Sequence, residues 1–140
     1  MSIELMLEID DSINKNKLVD SLMFAGASDF SDDSTGFDCF FEKTKISVYV
    51  DEKSNPSWKE RRARDEFITE NVNFPATLKV GFRVIFRFPR NEHAESNAQI
   101  KNVLLFLEDN TKANFVLSFQ YEKVIAIRHN SSLQFIYAFE

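Results

Sequence analysis

The chain has 140 residues, a formal net charge of −5, 44% hydrophobic residues and 28% charged residues. That length predicts one domain, 1–140; 15 Phe exclude a disordered chain, and only 3 Gly and 3 Pro exclude a collagen-like or linker sequence. No run of about 18 apolar residues is present to span a membrane, and an acidic balance is a poor footprint for nucleic acid.

Residues 3–9 alternate, with Ile3, Leu5, Leu7 and Ile9 against Glu4, Met6 and Glu8. Period two predicts a half-buried strand. Asp10, Asp11 and Ser12 are helix-capping types. A helix is predicted from there to about Ala25, with Leu18, Val19, Leu22 and Met23 as its apolar face and Gly26 as its stop. Residues 27–36, rich in Ser and Asp, read as a loop. Strands are predicted at 37–43 and 45–51. In the second, Ile46, Val48 and Val50 alternate with Lys45, Ser47 and Tyr49.

Residues 52–75 carry no clear period. Trp58 to Ile68 reads either as a short charged helix or as a loop. Residues 77–88 are the clearest strand. Leu78, Val80, Phe82, Val84, Phe86 and Phe88 share one face, and Lys79, Gly81, Arg83, Ile85 and Arg87 the other. This predicts an antiparallel sheet with one face covered and one wet. A helix follows over 95–109, its stripe being Ile100, Val103, Leu104 and Leu107. Three short strands, 115–120, 123–128 and 133–139, close the chain. The fold class is α+β: an antiparallel sheet of five to seven strands, two helices on one face, in the order β-α-β-β-β-α-β-β-β.

Signals for chemistry are sparse. His93 and His129 are the two histidines. A histidine pair with a basic residue could cleave RNA, but ordinary surface histidines look the same. No spacing for a metal site is present, and three glycines cannot build a phosphate loop. Cys39, the single cysteine, lies in an apolar run with no base beside it, which predicts a buried inert thiol and fits a reducing compartment. The first residues lack a signal-peptide pattern, so a cytoplasmic location is expected. No cofactor and no enzymatic activity are predicted.

Charge is unevenly placed: residues 1–52 carry −8, residues 53–90 carry +5 and residues 91–140 carry −2. Acids around an aromatic anchor suit docking onto a basic cleft. The acidic segment offers Asp29, Phe30, Asp32, Asp33 and Asp38 for that role. The alternative has Phe30 tucked inward and the acids merely solvating the loop. The basic stretch Lys59, Arg61, Arg62 and Arg64 beside Trp58 could hold a single strand of nucleic acid. Pairs such as Arg61 with Asp65 and Arg62 with Glu66 give the plainer reading.

The stretch from Val72 to Phe139 combines three parts. They are the Phe- and Arg-rich strand Leu78 to Phe88, the amphipathic helix Ala98 to Leu107, and the hairpin segment Asn114 to Arg128. In this it resembles the swarm-inhibition (Sit) immunity family and the immunity proteins of contact-dependent inhibition. The resemblance implies a small non-enzymatic protein that stays in the producing cell. It implies tight binding to the C-terminal domain of a cognate secreted toxin, a nuclease being one such class, and blockage of its active site or substrate entry. A monomer with neither a nucleic-acid nor a membrane partner is expected. The other reading is a small acidic secretion chaperone that binds an effector segment.

Overall fold

In the computed structural model, which describes residues 2–53, 80–119, 123–129 and 132–136, the alternation at the N-terminus becomes strand β1 (Ser2–Asp10). Helix α1 follows (Lys15–Ala25). Its first turn is capped by Asn14, whose side chain accepts from the Lys17 N–H at 3.0 Å. Its end is set by Gly26 at φ 116°, a left-handed conformation that costs glycine little. Next come β2 (Ala27–Asp32), β3 (Gly36–Phe41), β4 (Ile46–Glu52) and β5 (Val80–Pro89). A single 3₁₀ turn (Arg90–Glu92) leads into α2 (His93–Asn110). Strands β6 (Phe115–Phe119), β7 (Lys123–His129) and β8 (Ser132–Phe135) follow.

The eight strands form one antiparallel sheet in the order β2-β3-β4-β5-β1-β6-β7-β8. This exceeds the five to seven expected, because residues 27–32 pair with β3 instead of forming a loop. The described order is therefore β-α-β-β-β-β-α-β-β-β. Strand β1 lies in the interior, between β5 and β6. The basic stretch around Trp58, and the predicted strand residues Leu78 and Lys79, lie outside the described residues.

Both helices pack on one face of the sheet. Leu18 and Leu22 of α1 and Ile100, Val103, Leu104 and Leu107 of α2 share a core with Leu5, Leu7, Ile9, Val84 and Phe86. Phe37, Phe41, Phe86, Phe88 and Phe115 are fully buried there. Each contributes about 1.5–3 kcal/mol by leaving water. The predicted stripe of α2 is the one that is buried. That of α1 is displaced: Ser21 and Ala25 face inward, and Met23 is 57% exposed. Small residues at those positions let α1 approach α2 closely. Gln99 of α2 reaches across to donate to the Ala25 carbonyl and to accept from the Thr44 hydroxyl.

The other face is not simply wet. At its centre Glu8 is fully buried and Arg83 nearly so, with Arg83 Nε donating to Glu8 Oε2 at 3.1 Å. Val116, Ser118 and Ile127 are buried on the same side. Two opposite charges in contact can stay dry where either alone could not. Towards β3 and β4 this face opens, and Tyr49 is 46% exposed.

Candidate functional site

The acidic residues singled out in the sequence do not act as one patch, because strand pairing separates them. Ser28 pairs with Phe40 and Ser31 with Asp38, so Asp29 and Phe30 together oppose the single residue Cys39. This is a β-bulge. Asp29, its first residue, sits at φ 56°, a left-handed position that Asp tolerates better than most residues. The extra residue shifts the alternation by one. Phe30 thereby turns to the core side, its ring 6.1 Å from that of Phe37, while Asp29 stays exposed. Phe30 is thus the inward staple rather than a free anchor.

Asp32 and Asp33 have local partners. The Lys15 ammonium donates to Asp32 at 2.7 Å. That hydrogen bond raises the pKa of Lys15 above its ordinary value. Asp33 Oδ1 accepts from the Thr35 N–H and hydroxyl, both at 2.7 Å, and from the Gly36 N–H at 2.9 Å. It builds the turn into β3. Gly36 is required at that turn, since a Cβ there would lie 2.1 Å from the Val50 carbonyl oxygen.

Asp29 and Asp38 converge. Both line a shallow depression with Phe40, Ser47 and Tyr49, floored by Cys39 and Val48. Asp38 and Tyr49 are direct cross-strand partners, as are Phe40 and Ser47. Neither carboxylate has an ion-pair partner among the described residues, in contrast to Asp32. Two cations stand at its aromatic residues. Arg87 is paired with Glu4 and lies 5.9 Å from the centre of the Tyr49 ring, and Lys45 lies 5.9 Å from that of Phe40. Among the described residues, the depression therefore presents two carboxylates without an ion-pair partner around a half-exposed tyrosine. Such a surface fits a cationic side chain or a basic protein face.

Tyr49 and Phe40 were not among the residues singled out from sequence. The signal was present for Tyr49, which alternates against the buried Val48 and Val50. Cys39 is buried, and loss of hydration pushes its thiol up to about 12, so it is protonated and unreactive at neutral pH. The two histidines are not brought together. His93 opens α2, whereas His129 follows Arg128, which binds the other end of that helix. An 18-residue helix is about 27 Å long. Among the described residues no cluster of three or more His, Cys, Asp or Glu could hold a metal, and no helix is long and apolar enough to cross a membrane. No protein-family model matches the chain, and no curated protein or solved structure matches it significantly.

Proposed function

We propose that this chain is an immunity protein that binds a cognate toxin domain and blocks its active site or substrate entry. The observation that carries the reading is the depression at Asp29, Asp38 and Tyr49, where acids with no ion-pair partner among the described residues flank an exposed aromatic residue. Tyrosine is a frequent anchor of binding energy at interfaces, and surrounding charge speeds encounter with a partner of opposite sign. The uneven charge of the chain supports the same reading, since residues 1–52 carry −8. The contact set proposed from the fold is Asp29, Asp38, Tyr49 and Phe40. Asp32 and Asp33 contribute to the field but are held by Lys15 and by the turn.

The test is co-expression with the C-terminal domain encoded by the adjacent reading frame. Growth arrest by that domain alone, relief on adding this chain and co-elution of the two are expected. Reversal of both acids of the depression (Asp29→Lys with Asp38→Lys) should weaken the complex mainly through slower association, with an effect that shrinks as salt rises. Tyr49→Ala should speed dissociation. Absence of both toxicity and complex would refute the function. An unchanged affinity in the double reversal would refute the site alone.

A further inference from the structure

Given the immunity reading of the depression at Asp29, Asp38 and Tyr49, on which this inference rests, we propose that the partner site carries two charges: the same partner protein that offers a cation to the two acids offers a carboxylate to Lys45. On the side of the sheet away from the helices, register sets side chains in rows. Phe40, Ser47, Arg87 and Glu4 form one row across β3, β4, β5 and β1, and Asp38, Tyr49, Ile85 and Met6 form the next. A second depression abuts the acidic one. It is lined by Ser2, Lys45, Ser47, Arg87 and Pro89, and Ser47 belongs to both.

The second depression differs in charge. Arg87 Nε donates to Glu4 Oε2 at 2.6 Å and Nη2 contacts the same oxygen, so that pair is neutral. Lys45 is exposed and has no ion-pair partner among the described residues. The aromatic residues of the acidic depression form the seam: Lys45 stands over the Phe40 ring and Arg87 over that of Tyr49. Lys45 also sits at φ 65°, where glycine would be easier. The chain thus holds a cation at this point against a backbone cost, and such costs gather at functional surfaces. A partner face that is basic throughout would press like charge onto Lys45, whereas a base with an acid beside it suits both depressions. Strands lie about 5 Å apart and alternate residues about 7 Å, so Asp38 and Arg87 are about 12 Å apart. One partner covers that span, since a standard interface takes about 800 Å² of each protein.

The sign of one substitution tests this. Association and dissociation rates are measured by surface plasmon resonance against the C-terminal domain encoded by the adjacent reading frame. Lys45→Met should weaken the complex about threefold. Lys45→Glu should weaken it about tenfold, chiefly through faster dissociation. A uniformly basic partner would instead bind Lys45→Glu more tightly. Lys45→Gly relieves the left-handed backbone, so weaker binding together with an undiminished melting temperature separates a lost contact from a damaged fold. Among acid-to-lysine variants of the domain, one should restore the affinity of Lys45→Glu while weakening that of wild type. Tighter or unchanged binding by Lys45→Glu overturns the proposal, as does the failure of every such variant to rescue it, and both leave the wild-type complex and the immunity reading standing. A wild-type chain that forms no complex overturns that reading and this inference together.

Discussion

The Arg128 guanidinium of β7 donates from Nη1 to the Thr111 carbonyl at 2.7 Å. The same nitrogen reaches the carbonyls of Ala113 at 3.0 Å and Leu107 at 3.3 Å. Helix α2 has no basic residue in its last turn. A strand that follows the helix in sequence thus supplies the cation that the helix C-terminus favours, and it binds the carbonyls of the segment that leaves the helix. Arg128 is 3% exposed. Hydrogen bonds to a charged group contribute about 1.5–3 kcal/mol, so Arg128→Met should lower unfolding free energy by about 3 kcal/mol. Arg128→Lys, which keeps the charge but not the fork, should recover part of the loss. Urea unfolding midpoints at constant slope check both.

A second prediction concerns the buried pair of Glu8 and Arg83. Glu8→Ala removes the carboxylate that faces a guanidinium almost wholly buried. The expected loss is about 3–5 kcal/mol. Exchange of both residues for apolar side chains of similar size (Glu8→Met with Arg83→Met) should cost far less than the two single losses added together. A double-mutant cycle in denaturant measures the difference.

Cys39 gives the fold a pH dependence with a defined sign. Burial, with a smaller contribution from Asp38, lifts its thiol from 9.0 to about 12. The unfolded thiol loses its proton near pH 9 while the folded one keeps it. The stabilisation is therefore complete below pH 9 and is lost as pH rises towards 12, by about 1.4 kcal/mol per unit. The difference in stability between wild type and Cys39→Ala should be constant below pH 9 and shift in favour of Cys39→Ala above it. Alkylation of the native thiol at pH 8 should proceed no faster than unfolding.

Two residues at positive φ carry a backbone penalty, Lys45 in a turn and Asp29 in the bulge of β2. Lys45 sits at φ 65° in the turn between β3 and β4, its N–H bonded to the Phe41 carbonyl at 2.8 Å. Left-handed backbone costs an ordinary L-residue about 1–2 kcal/mol. Lys45→Gly should raise the melting temperature, with a gain of about 1 kcal/mol at most because glycine also loses more freedom on folding. At Asp29, asparagine shares the tolerance for this conformation. Asp29→Asn should leave stability unchanged and so report charge alone in any binding assay.

Much of this architecture can be read along the chain. The alternation of Ile3 to Ile9 and of Val80 to Phe88 fixes strands whose core faces are those expected, and the stripe from Ile100 to Leu107 is buried as predicted. Strand β2 could not be read this way. Ala27 to Asp32 are residues with poor strand propensity, and they are extended because β3 offers an open edge to pair with. The stripe of α1 was misplaced at Met23 because hydropathy does not record that Ser21 and Ala25 are small enough to let another helix come close. The candidate site was half legible. An acidic segment was evident, but a one-residue bulge decided that Phe30 points inward and Asp29 outward.

The sequence by itself determined the class of the fold, its antiparallel strands, the single strong helix stripe, the stop at Gly26 and the negative end of the chain. These are local properties, set by side-chain period, backbone preference and composition. Only the tertiary structure decided which charges meet. Placing β1 between β5 and β6 sets Glu8 against Arg83, 75 residues away. The fold also occupies Asp32 with Lys15 and gathers Asp29, Asp38 and Tyr49 around one depression. The physical reason is that strand order and register are long-range choices. A charged residue in an alternating strand has the same local pattern whether it faces water, a buried partner or a binding surface, and only the neighbouring strand distinguishes them.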